Sequence, residues 1–278
     1  MTTYSTSFDS YTVDVQPSDW TARWATASTN WLTRSKAGTQ GGKVLENTGT
    51  VTAQHLLAWD AIDADANRAN VEVLARMRPS TSTTELFHLT VRGSGAAGSE
   101  NGYVINFLAP TSYTLRKWVA GVSTDIGNSV ALSVTAGDWY YVRLRANGTS
   151  IQGKVWKDGE VEPTAWSVSA TDSAVSAAGW VGIGNRVFSN TRDCDWFSVG
   201  TNGDTAPLPT SSATEIRTSQ VAVEAALATV AQARISQLIT EVAISAPIAG
   251  QISQLVVEVA FSNAAAPVTQ QPRMIVLI

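Results

Sequence analysis

The chain has 278 residues, with 19 Lys and Arg against 23 Asp and Glu, a formal net charge of -4, 15% charged residues and 44% hydrophobic ones. So little charge excludes a disordered polyelectrolyte, and the acidic balance excludes nucleic acid as the main partner, because phosphate binding needs a cationic surface. The single cysteine, Cys194, excludes an intramolecular disulfide framework and a cysteine-only metal site, so ten Trp, six Tyr and six Phe must supply a core held by packing.

The segment from Met1 to Asp9 has neither the basic nor the apolar part of a secretory leader, and no apolar run reaches the roughly 18 residues of a membrane span. Export by that route and a membrane span are therefore not expected. Further on, Asp60-Ala-Ile-Asp-Ala-Asp-Ala-Asn67 offers four oxygen side chains, which suit calcium in kind. Their spacing is not that of an EF-hand and the turn glycine is missing, so a polar connecting loop is expected and no metal is assigned. Six strands follow, at Val71–Arg78, Leu86–Arg92, Gly102–Leu108, Tyr113–Val119, Trp139–Arg145 and Ile151–Trp156, each rich in β-branched or aromatic residues and bounded by Gly, Pro, Asn or Ser. Regular strands without helical periodicity between them predict an all-β fold, a sandwich or jelly roll.

The best-defined hairpin runs from Trp139 to Trp156, with Asn147-Gly148 as its two-residue tip. That register sets Tyr140, Val142 and Leu144 opposite Val155, Gly153 and Ile151 on a core face. The other face then carries Trp139 beside Trp156, Tyr141 beside Lys154, and Arg143 beside Gln152, with Arg145 at the end. Arg116 and Trp118 of the preceding strand are expected to extend it. Aromatic rings stack on the apolar faces of sugars, and Arg and Lys pair with carboxylates, so these seven residues are the expected binding surface for an acidic polysaccharide. A cover of loops over this face is the competing expectation.

No catalytic group is assigned. A glycosidase needs two carboxylates close together on one face, whereas Glu72 is an isolated strand acid and Glu160 and Glu162 precede Pro163 in a loop. His55 and His88 lie in no nucleophile motif. No cofactor is expected.

Phe8-Asp-Ser-Tyr-Thr12, the hairpin ending in Lys154-Val-Trp156, Gly159-Glu-Val-Glu-Pro-Thr-Ala-Trp166, Gly179-Trp-Val-Gly-Ile-Gly184 and Asp195-Trp-Phe-Ser-Val199 together resemble a laminin-G-like, concanavalin A-like jelly roll. The resemblance covers residues 1–204 and implies a lectin-like domain. Residues 205–214, with Pro207 and Pro209 among small polar residues, are expected to be a linker. Beyond it a repeat has a fixed period: Gln220, Gln237 and Gln254 are 17 residues apart, as are Glu224, Glu241 and Glu258. Residues 215–278 are therefore expected to form a small antiparallel β-repeat module, with 271–278 as a truncated fourth copy. An antiparallel register sets Gln237 opposite Glu258, whereas parallel stacking would align like charges.

The repeat resembles those at the C-termini of bacteriophage structural proteins. That resemblance implies a non-enzymatic virion component in the tail or on the capsid surface, with other virion proteins and copies of itself as partners and a host surface polysaccharide as ligand. The alternative is a carbohydrate-active enzyme or its carbohydrate-binding module.

Overall fold

The computed structural model describes residues 2–24, 31–47, 54–80, 85–109, 111–186, 191–209, 256–260 and 273–277. The chain divides into two compact units, Met1–Thr210 and Ser211–Ile278. In the first, the strands are β1 (Thr2–Thr6), β2 (Trp20–Ala22), β3 (Trp31–Ser35), β4 (Lys43–Asn47), β5 (Gln54–Trp59), β6 (Val71–Pro79), β7 (Glu85–Ser94) and β8 (Asn101–Ala109). They continue as β9 (Ser112–Val119), β10 (Val122–Asp125), β11 (Val130–Ala131), β12 (Tyr140–Asn147), β13 (Ser150–Lys157), β14 (Val168–Thr171), β15 (Trp180–Arg186) and β16 (Arg192–Thr201). All six strands expected from the sequence are present. Among the described residues the only helical element is one 3₁₀ turn at Asp60–Ile62.

These strands make two antiparallel sheets. Sheet A has the order β14-β13-β12-β6-β16-β4-β3, with β1 also on β16, and sheet B the order β10-β9-β8-β7-β15-β5-β2, with β11 also on β9. Sequential strands repeatedly change sheet, which is the jelly-roll pattern of closing a sandwich with crossing connections. Alternation on each strand supplies the core. Val71, Val73, Ala75 and Met77 of β6 face Phe87, Leu89 and Val91 of β7 within one buried cluster.

Aromatic packing pins one end. Trp20 stacks on Trp59 at 5.7 Å, and Phe197 meets both rings edge-on at 5.1 and 5.7 Å. Each such pair contributes about 0.5–1.5 kcal/mol beyond area burial. A bulge in β7 after Val91 turns Arg92 (φ 53) inward, where it donates to the carbonyls of Ala69, Val175 and Gly148 at 2.7–2.9 Å.

The expected linker does not begin at residue 205. Ala206 is fully buried on the outward face of sheet A, and Pro207 accepts hydrogen bonds from Trp196 Nε1 (3.0 Å) and Ser198 Oγ (2.6 Å). Small apolar residues there fit a seat that composition alone reads as loop.

In the second unit, β17 (Val256–Ala260) pairs antiparallel with β18 (Arg273–Leu277), with Glu258 opposite Ile275. Residues 273–277 of the expected fourth copy are therefore a strand. The expected pairings that involve Gln220, Glu224, Gln237, Glu241 and Gln254 lie outside the described residues.

Candidate functional site

The hairpin of β12 and β13 turns one residue later than expected. Asn147 pairs with Ser150, so Gly148 (φ 56) and Thr149 form the tip, and Arg143 pairs with Lys154 and Tyr141 with Trp156. The slip is two residues on β13, which keeps every side chain on its predicted face. Tyr141, Arg143, Arg145, Gln152, Lys154 and Trp156 do share the outward face of sheet A. Trp139 precedes β12 and does not meet Trp156. Its ring lies 4.3 and 4.5 Å from the guanidinium carbons of Arg76 and Arg78, and its Nε1 donates to the Gly38 carbonyl.

That face is covered, which corrects the expected binding surface. Tyr141, Arg143, Lys154 and Trp156 are all less than a tenth exposed, and only Arg145 and Gln152 keep partial access. Trp156 stacks on Tyr141 at 5.2 Å, and burial raises the Tyr141 hydroxyl above its usual range. The cations are already paired. Arg143 binds Glu72 and reaches Glu162 at 2.9 Å, while Lys154 binds Glu162 at 2.8 Å and the Pro163 carbonyl at 2.6 Å. Ala206 closes the clasp, its N–H donating to Glu72 and its carbonyl accepting from Arg143 at 2.9 Å. The polar face is thus a second interior, sealed by loop residues 158–166 and by 205–207.

Towards β3 the pairing continues. Arg76 holds Asp195 and Asp158, Arg78 holds Asp193, and Lys36 joins Asp193 to Glu46. Burial pushes the Asp195 carboxyl up to about 7, against the pull of Arg76 and of the Gln40 N–H. Burial likewise raises the Cys194 thiol, whose place in the core leaves it no reagent to meet.

Of the acids singled out in the sequence, Glu72 and Glu162 are brought together. They share the Arg143 guanidinium, which ties both carboxylates into the ion pairs of the covered face. In the Asp60–Asn67 loop, Asp60 binds Thr21 and Arg23, Asp63 binds Arg68, and Asp65 accepts from Thr201 and from the Asn67 N–H. No cluster of three metal-ligating acids, His or Cys occurs among the described residues.

The other outward face, that of sheet B, is built differently. Register sets Arg116, Val104, Thr90, Gly182 and Ala58 in one row across it, and Thr114, Asn106, His88, Gly184 and Leu56 in the next. Trp118 lies opposite Ser123 of β10. Arg116 and Trp118 therefore belong to the sheet opposite the hairpin, because β9 pairs with β8 and β10 and not with β12. Trp24, Leu56 and Val104 form one apolar cluster, with Trp118 and Trp180 packed against it and still partly exposed. β2 and β9 are five strands apart, about 24 Å on a flat sheet. Yet the Trp24 and Trp118 rings are 6.3 Å apart. The indoles thus converge over the middle of the face. The rows beneath are themselves buried, with Leu56, Ala58, His88, Thr90, Val104 and Asn106 each 5% exposed or less; Gly93 lies against Trp180, and the Thr90 hydroxyl has no hydrogen bond. Arg23 sits 5.0 Å over Trp180 and binds Asp60 at 2.9 Å, and Arg116 binds Asp125 at 2.7 Å.

No family model and no curated protein matches the sequence. Similar solved structures include the carbohydrate binding module CBM66 from Bacillus subtilis, at 16% identity over 64% of this chain and 92% of that chain, with a TM-score of 0.45. Others are a β-glucanase from Bacillus licheniformis (12%, 72% and 98%, TM-score 0.45) and a xylan β-1,4-xylosidase from Bacillus halodurans (12%, TM-score 0.46). The chain covers only 38% of the xylosidase. The jelly roll is assigned from the strand order of the chain itself.

Proposed function

We propose that the Met1–Thr210 unit is a non-catalytic glycan-binding module that meets its ligand on the outward face of sheet B, through Trp118 and Trp180. The observation that carries this reading is the convergence of three indoles on one face, with two of the rings, Trp118 and Trp180, still partly exposed over a buried floor. Aromatic faces stack on the C–H faces of pyranose rings, and Thr114, Ser123 and Arg116 beside them supply hydrogen-bonding groups. The test is a glycan array followed by titration of the best ligand. Trp118→Ala and Trp180→Ala should each weaken binding by about tenfold or more, equivalent to ~1.4 kcal/mol. A wild-type protein that binds no glycan would sink the proposal.

A second reading concerns where the module acts, and the repeat in residues 215–278 favours it. The alternation of its repeated segments puts apolar residues on one side, and a thin sheet of that pattern would not bury both sides alone. We propose that this unit attaches the chain to copies of itself and to other virion proteins, on a phage tail or capsid surface. A chain ending at Thr210 should then be left out of the particle, and its incorporation at normal copy number overturns the attachment role.

A further inference from the structure

We infer that the ligand of the sheet B face is an uncharged glycan, and that fixed ion pairs on the rim exclude acidic polysaccharides. This rests on the glycan-binding reading and adds the chemical class of the sugar.

The argument is one of charge around the exposed indoles. Beside Trp180, Arg23 is held by Asp60 at 2.9 Å and by Asp63 at 3.4 Å, and Asp63 also binds Arg68. Beside Trp118, Arg116 is opposite Asp125 in the β9–β10 register and bonds to it at 2.7 Å. Among these rim residues three cations meet three carboxylates. Glu100, next to β8 at the Trp118 end, adds another acid. Between the rims the rows carry no Asp, Glu, Lys or Arg, and all but Thr114 are buried, so a sugar meets the indoles and the rim pairs. An anionic sugar brought onto Trp118 must either displace Asp125 from Arg116 or lie against that carboxylate, and like charges at such range repel. A neutral pyranose meets no such cost. The basic residues that suit an acidic polymer by sequence, Arg143 and Lys154, are locked beneath the cover of sheet A.

The ion pair at Arg116 gives a direct test, because Asp125 is exposed enough to be replaced without touching the core, its side chain being 54% accessible. Retardation of the full-length protein would be measured in gels that contain neutral polymers (β-glucan, xylan, mannan) or acidic ones (alginate, polygalacturonate), at low and high salt. The wild type should be retarded by a neutral polymer to the same degree at both salt levels, and Trp118→Ala should abolish it. Asp125→Asn frees Arg116 and should create retardation by an acidic polymer that high salt removes, since exposed charges are screened. Salt-sensitive binding of the wild type to the acidic polymers overturns the charge argument and leaves the glycan reading standing. Failure of Asp125→Asn to gain acidic binding shows that the pair does not set the preference. Binding to no polymer at all removes both.

Discussion

Replacing Arg143 by Met tests whether the covered face of sheet A is a charge-matched interior. Arg143 and Glu72 have side chains 2% and 3% exposed, so the substitution leaves Glu72 buried with its main counter-ion gone. Breaking one side of a buried ion pair costs about 3–5 kcal/mol. The Ala206 carbonyl, at 2.9 Å, also loses its donor. A domain of this size loses about 2–4 °C in Tm per kcal/mol, so a fall of about 6–20 °C is expected. Urea unfolding followed by Trp fluorescence reads the first unit alone, because all ten Trp precede residue 211. The double variant Glu72→Gln/Arg143→Met keeps an acceptor for the Ala206 N–H and removes the orphaned charge, so it should recover most of the loss, which is the penalty of an unpaired buried charge. A single variant that costs less than about 1 kcal/mol, well under that penalty, refutes the reasoning. So does a double variant no more stable than the single.

Three further outcomes follow from the same structure. Thr90→Val removes a buried hydroxyl that has no hydrogen bond and should stabilise by up to about 1 kcal/mol; a loss of that size in the same urea assay would mean the hydroxyl is satisfied. Asp195, raised from 3.8 to about 7, keeps its proton longer in the folded chain than in the unfolded one, so its stabilising contribution is full below 3.8 and is lost as pH rises through about 7. Over that window stability should fall more steeply, or rise less, with pH in the wild type than in Asp195→Asn, and parallel slopes in urea titrations from pH 4 to 8 would contradict this. A chain ending at Asp204 forfeits the four hydrogen bonds made by Ala206 and Pro207 and should be about 2–6 kcal/mol less stable than one ending at Thr210; equal midpoints would show that the seat contributes nothing.

The parts of this fold legible in sequence are those set by local alternation. Tyr140, Val142, Leu144, Ile151 and Val155 are inward as expected, even though the turn falls one residue later, because a two-residue slip preserves faces. The strand β16 is less legible, since buried Arg192, Asp193 and Asp195 interrupt its apolar pattern, and the partners of the two acids, Lys36, Arg78 and Arg76, are far off in the chain. Alternation also says which face a residue is on, not what lies above it. Arg143 and Lys154 look like a solvated cationic face until Glu72, Glu162 and Ala206 arrive from three separate segments. Sequence order misplaces Trp118 for a related reason, because successive strands of a jelly roll change sheets.

One signal for the sheet B site was present and is physical. In Trp180-Val-Gly-Ile-Gly184 the inward positions carry Val181 and Ile183, while both outward positions after Trp180 are glycine. Glycine weakens a strand interior and leaves nothing to pack, so two of them on one face mark a place where something large lies close to the backbone. At Gly182 that neighbour is backbone, since a Cβ there would stand 2.3 Å from the Leu57 carbonyl oxygen, whereas the glycine that lies against an indole is Gly93, where a Cβ would stand 3.2 Å from Trp180 Cε3. A strand that is apolar inward and bare outward therefore points to its outer face as the one built to receive rings, whereas a strand rich in Arg and Lys outward points to partners within the chain. That contrast is the ground for proposing sheet B as the ligand face, and it sets the ion pairs of sheet A in the service of stability.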